Sequence, residues 1–208
     1  MTVRTLAIAA LALASLSLPA AAQAPSPFIT NPAQVESGRY TLDPSHGKIT
    51  WSVSHLGFST YVGQFHDVAA TLVLDAKNPA ASQIDATIAM KSVGTFSQGL
   101  DQHLQTADFF DVANHPTARF TSTRITLLDA RTARIDGQLT LRGITRPVTM
   151  QARFNQAGVS PAGKRYTIGF EGEATIKRSE FGVSYALPLL GDEVTLKLEA
   201  EFVAPPAK

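Results

Sequence analysis

Apolar and polar residues alternate along most of this chain. Ile49, Trp51, Val53 and His55 alternate with Thr50, Ser52 and Ser54, and Ile84, Ala86, Ile88 and Met90 alternate with Asp85, Thr87 and Lys91. The pattern returns at Ile135, Gly137, Leu139 and Leu141, and again at Val148, Met150, Ala152 and Phe154. It returns twice more, at Tyr166, Ile168, Phe170, Gly172, Ala174 and Ile176, and at Val194, Leu196, Leu198, Ala200 and Phe202. A period of two gives a strand one dry face and one wet face. Many such segments cannot each find a separate core, so they predict antiparallel strands whose dry faces meet inside one barrel or sandwich. Asp129-Ala130 and Arg142-Gly143-Ile144-Thr145 suit hairpin connections. Several strands reach ten residues or more, and long curved strands favour a barrel.

One stretch breaks the alternation. Across residues 96–114, Leu100, Leu104 and Ala107 follow helical spacing, and Phe109, Phe110 and Val112 fit a second short turn ahead of His115-Pro116. One or two short helices are expected there, covering an end of the barrel. Several dry-face positions are small: Gly137, Gly172, Ala86, Ala152, Ala174 and Ala200. Small inward residues leave room for a cavity. They also fit local accommodation of Trp51 and the phenylalanines, and the pattern alone does not choose between the two.

The N-terminus adds a compartment. Arg4 is a short positive n-region, residues 6–18 form an apolar h-region broken by Pro19, and Ala22-Gln23-Ala24 is a small-x-small cleavage site. A signal peptide at 1–24 is therefore expected, with the mature chain beginning at Pro25. The apolar run falls short of the roughly 20 residues that cross a bilayer, so the mature form has no expected membrane span. Residues 25–37, with three prolines, are expected as a linker, 38–203 as the folded domain and 204–208 as a Pro/Ala tail that frays. Arg4 is the one charged residue of 1–24, and without it the 17 acidic residues face an equal number of basic ones. A balanced surface holds no polyanion, so nucleic acid is not an expected partner. The chain has no cysteine, which removes disulfides, thiolate metal sites and cysteine nucleophiles.

Seven segments together resemble the YceI-like family of bacterial periplasmic proteins, the polyisoprenoid-binding, lipocalin-like proteins. They are Tyr40-Thr41-Leu42-Asp43-Pro44-Ser45-His46, Trp51-Ser52-Val53-Ser54-His55-Leu56-Gly57-Phe58, Gly63-Gln64-Phe65, His103-Leu104 with Asp108-Phe109-Phe110-Asp111, His115-Pro116-Thr117-Ala118-Arg119-Phe120, Gly137-Gln138-Leu139-Thr140-Leu141-Arg142-Gly143-Ile144-Thr145-Arg146-Pro147-Val148, and Arg178-Ser179-Glu180-Phe181-Gly182. The resemblance spans about Tyr40 to Phe202, and its specificity lies in the order and spacing of the pieces. It implies an all-β fold, an extended eight-stranded antiparallel lipocalin-like barrel with one or two short helices. It also implies a periplasmic location, possible homodimers, and an apolar cavity for a long-chain amphiphile such as a polyisoprenoid, an isoprenoid quinone or a fatty-acid derivative.

The candidate lining of such a cavity is Trp51, Val53, Phe58, Phe65, Phe96, Phe109, Phe110, Phe120, Leu139, Phe154 and Phe170. Each of these also suits plain core packing. His55 continues the dry face of its strand and suits either a ligand head group or a backbone carbonyl. His103 is placed to face the barrel mouth from the helix, and Arg178 suits a phosphate or a nearby acid. The histidines show no metal-ligand spacing, and no cofactor is expected. There is no nucleophile elbow, phosphate loop or triad spacing. The expected function is binding of a hydrophobic small molecule, not catalysis. The alternative is a stress-related periplasmic interaction protein with a filled barrel and no small-molecule ligand.

Overall fold

The computed structural model describes residues 27–206. Within them lie eleven strands: β1 (Gly38–Leu42), β2 (Lys48–His55), β3 (Ser59–Phe65), β4 (Val68–Leu74), β5 (Gln83–Ala89), β6 (Val93–Gly94), β7 (Thr117–Leu127), β8 (Thr132–Leu141), β9 (Ile144–Val159), β10 (Tyr166–Lys177) and β11 (Leu190–Val203). Their pairing condenses to eight strand positions. β11 pairs with β1 at Phe202 and Val203 and with β2 from Glu199 back to Leu190, so β1 and β2 are one long strand interrupted at residues 43–47. β4 pairs with β1 and β3 pairs with β2, and β5 and β6 follow in the same way on β4 and β3. Every pairing is antiparallel, and the β1–β11 ladder closes the sheet into an eight-stranded barrel. Closure leaves no free edge around the ring of β1, β4, β5 and β7 to β11, while beyond β2 the sheet ends at β3 and β6.

The turns follow local chemistry. Arg142 and Gly143 both have positive φ, at 51° and 74°, and join β8 to β9 as a two-residue hairpin. That geometry matches the right-handed twist of the flanking strands and needs a residue free of Cβ strain. Asp129 closes the β7–β8 hairpin by accepting the backbone N–H groups of Arg131 and Thr132 at 2.7 and 2.8 Å. The non-strand stretch yields a single helix, α1 (Gln98–Leu104), whose Ser97 hydroxyl accepts the Leu100 N–H. The second expected helical turn is a run of hydrogen-bonded turns at 105–115. Their polar side chains pair with one another and with the helix: Asn114 donates to the Asp111 carboxylate at 3.0 Å, and Asp108 meets His103 at 2.9 Å.

Two stretches outside the strands are tied to the barrel. In the segment expected as a linker, Ile29 exchanges backbone hydrogen bonds with Ala157, Val35 is buried, and the Tyr40 hydroxyl donates to the Glu36 carbonyl at 2.6 Å. In the expected tail, Ala204 donates its N–H to the Tyr166 carbonyl and accepts from the Arg165 guanidinium at 2.9 Å. The expected signal peptide lies outside the described residues. Among the described residues, no helix is long and apolar enough to cross a membrane.

The interior has two unlike halves. The half under α1 is filled. Trp51 stacks on Tyr61 with centroids 6.3 Å apart, Phe65 meets Phe110 edge-on at 5.6 Å, and Leu139, Phe181 and Val183 are buried there. In the other half the inward side chains are mostly aliphatic or small.

Candidate ligand cavity

That second half contains a cavity of about 470 Å3. The volume falls within the ~300–1,000 Å3 of small-molecule sites. Its wall is the dry face of the long strands: Ile49 from β2, Leu72 from β4, Ile84 and Ala86 from β5, Ile125 from β7, Ala133 and Ile135 from β8, Met150, Ala152 and Phe154 from β9, Ile168, Phe170 and Gly172 from β10, and Leu198, Ala200 and Phe202 from β11. Three connections ring its mouth: residues 31–35, residues 76–82 and the β7–β8 hairpin with Leu127, Ala130 and Arg131. The small dry-face residues divide between the two readings open to them. Ala86, Ala152, Gly172 and Ala200 line the cavity, whereas the space beside Gly137 is taken by the Phe120 ring.

Five charged residues border the cavity: Lys77 and Arg131 from the connections at its mouth, and Lys48, Glu171 and Glu199 from wet-face positions of β2, β10 and β11. Arg131 is fixed there: its Nη2 donates to the Phe154 carbonyl at 3.0 Å and also to the Asn155 carbonyl, and its guanidinium sits 5.7 Å from the Phe154 ring centroid. Glu171 is held by Arg153 at 3.2 Å. A second, more polar groove of about 760 Å3 runs outside the lumen, past His46, Gln156, Ser160 and Lys197. Among the described residues, no three His, Cys, Asp or Glu side chains converge on a point that could hold a metal.

The fourteen residues singled out from the sequence are scattered by the fold. Phe154 and Phe170 line the cavity. Trp51 and Phe120 lie one inward position beyond its wall. Phe65, Phe110 and Leu139 belong to the filled half, and Val53 and His55 lie further along β2 toward α1. His103 and Phe109 pack with Tyr185 in the α1 region, with His103 Nε2 2.9 Å from Asp108. Arg178 is buried at the same end, donating to the carbonyls of Gly191, Val183, Tyr185 and Leu190. Phe58 is 90% exposed at the β2–β3 turn, and Phe96 is fully exposed ahead of α1. Neither aromatic has a neighbouring strand over it, because both sit in connections.

Most of the wall is aliphatic: Leu72, Ile84, Ile125, Ile135, Met150 and Leu198 were not singled out. Ile84, Ile135, Met150 and Leu198 carried the alternating signal, but choosing by aromatic character selected the filled half of the barrel.

Several carboxylates around the barrel are held below their ordinary pKa. Backbone N–H groups do this for Asp129 at the mouth hairpin, the Arg119 guanidinium for Asp85, and the Thr149 hydroxyl with Arg124 for Asp136. At Asp192 burial pushes the other way and is outweighed by hydrogen bonds from Ser179. A carboxylate with a depressed folded-state pKa adds stability above its unfolded value, near 3.9, and loses it as pH falls through the folded value. Thermal stability is therefore expected to be lost progressively below about pH 4. A melting series from neutral to strongly acidic pH checks this, and a midpoint unchanged to the acid end contradicts it.

Residues 40–202 match the model of the YceI-like domain. A UPF0312 protein of Pseudomonas aeruginosa (strain LESB58) is 38% identical over 170 residues, 81% of this chain and 88% of that protein. Among solved structures, BcnA of Burkholderia cenocepacia superposes with a TM-score of 0.70 at 24% identity, over 79% of this chain and 99% of BcnA. A polyisoprenoid binding domain from Saccharophagus degradans, implicated in plant cell wall breakdown, superposes with a TM-score of 0.60 at 13% identity, over 82% of this chain and all of that domain. At these identities the two structures establish the barrel fold.

Proposed function

The chain belongs to the YceI-like family, and from that premise and its half-empty barrel we propose that it is a periplasmic binding protein that holds a long-chain amphiphile. The observation that carries the reading is the cavity itself, walled by aliphatic and small side chains with Lys77 and Arg131 at its mouth. Each methylene that leaves water for such a wall contributes about 0.8 kcal/mol. The apolar tail thus supplies the affinity, and the rim meets the polar end. A polyisoprenoid, an isoprenoid quinone and a fatty-acid derivative share this chemistry. The leader at residues 1–24 supports export, with cleavage after Ala24. The reading assigns no catalytic step: the histidine nearest an acid, His103 beside Asp108, lies in the α1 region and does not line the cavity.

Native mass spectrometry of the mature protein from its own periplasm, followed by organic extraction and lipid analysis, tests the reading. A stoichiometric isoprenoid, quinone or acyl species is the expected result. An empty protein that also rejects such lipids on titration overturns it and favours a protein that acts through its surface.

A further inference from the structure

The cavity wall stops at one level of the barrel. On β2 it includes Ile49 but not Trp51, and on β11 Leu198 but not Leu196, the register partner of Trp51. On the opposite side it includes Ala86 of β5 but not Phe120, the partner of Ala86 on β7. Two large rings therefore stand at the edge of the wall, Trp51 one inward position beyond Ile49 on β2 and Phe120 across from Ala86 on β7. Each ring occupies space that a neighbouring strand leaves open by carrying glycine. A Cβ at Gly63 would stand 2.2 Å from Trp51 Cζ2, and one at Gly137 would stand 2.3 Å from Phe120 Cζ. Each ring thus lies over a glycine of the adjoining strand, in space that a side chain there would fill. Below them the lumen is packed with aromatic residues.

We propose that Trp51 and Phe120 form a floor that sets how much of an alkyl or prenyl chain the barrel takes in, making them the residues that determine chain-length specificity. This rests on the reading of the protein as a lipid-binding barrel. Methylenes above the floor lie against the aliphatic wall, and any excess chain runs out through the mouth into water, where it adds no affinity. Among the described residues Trp51 Nε1 is buried without a hydrogen-bond partner, so a smaller apolar residue at Trp51 strands no acceptor there. The ring is held by packing against Tyr61 and Gly63.

The test uses the full mature chain, delipidated, titrated with straight-chain saturated fatty acids from octanoate to behenate. In the unmodified protein, affinity is expected to rise about fourfold per methylene up to one chain length and then level off. Trp51→Leu and Phe120→Leu should each move that break to longer acids and leave the affinities of the shorter ones unchanged. Trp51→Phe, the milder truncation, keeps the test decisive where leucine impairs folding, since it also deepens the cavity. A break that stays in place in variants with intact melting transitions overturns the floor and leaves the lipid-binding reading standing. Failure of the unmodified protein to bind any acid in the series or an isoprenoid quinone titrated alongside overturns both.

Discussion

Phenylalanine at both Ala86 and Ala152 is expected to weaken binding of a long-chain amphiphile by about a hundredfold while leaving the barrel folded. Both side chains line the cavity, on β5 and β9, and both are only partly buried because the lumen in front of them is open. Two phenyl rings placed there exclude several methylenes of a guest. If they exclude about four, the loss is about 3 kcal/mol, which is the hundredfold expected. The fold does not suffer in proportion, because the new rings enter space that no side chain fills, and filling a void commonly stabilises. Titration of one amphiphile into both proteins, with melting curves alongside, checks the result. Unchanged affinity in a folded double variant would mean that the guest lies elsewhere, with the outer groove past Gln156 and Lys197 next in line.

Arg178→Met is expected to destabilise the protein by about 3–5 kcal/mol, without any direct effect on the cavity. Arg178 is 7% exposed and its guanidinium makes four hydrogen bonds, at 2.7 Å to the Gly191 carbonyl, 2.9 Å to that of Val183, and 3.0 Å to those of Tyr185 and Leu190. The Val183 and Tyr185 carbonyls belong to the loop that carries the chain from β10 into β11, and the Leu190 and Gly191 carbonyls to the first residues of β11. One side chain thus ties that connection to the strand end. Burial draws its pKa below the ordinary guanidinium value, with Asp192 opposing, and the group stays charged. Methionine matches much of its apolar stem and none of its donors, so four acceptors lose their partner. With folded domains stable by about 5–15 kcal/mol, this is a large share of the whole. Denaturant titration measures it, and a loss below about 1 kcal/mol would show that water replaces the guanidinium freely.

The barrel was legible in the sequence because a period-two pattern over long strands admits few folds. The cavity was legible only in outline. Alternation tells which side chains point inward but not at which height along the barrel each inward residue sits, and height is what separates Ile49 from Trp51 and Met150 from Val148. Height depends on register between strands far apart in sequence, as where Ala86 meets Phe120 or Leu198 meets Ile49. The docked segment at residues 29–36 was illegible for another reason. Prolines and polar residues announce a loop, and nothing in them says that Ile29 will exchange hydrogen bonds with Ala157, more than a hundred residues away. Arg178 was visible only as a cation suited to a phosphate or a nearby acid. Its partners are backbone carbonyls, which leave no mark on composition.

The mouth of the cavity is made of connections and its depth of strands, and this division bears on divergence. Strand residues that define depth are locked into ladders on both sides, so altering them disturbs the barrel. The three segments around the opening carry few such ties, and loops accept substitution and insertion at little cost to the scaffold. A lineage that keeps this lumen can therefore exchange its rim and greet a phosphate, a carboxylate or a quinone ring with the same apolar sleeve behind it. Under the proposed function, selection on the tail and selection on the head act on separate parts of the gene.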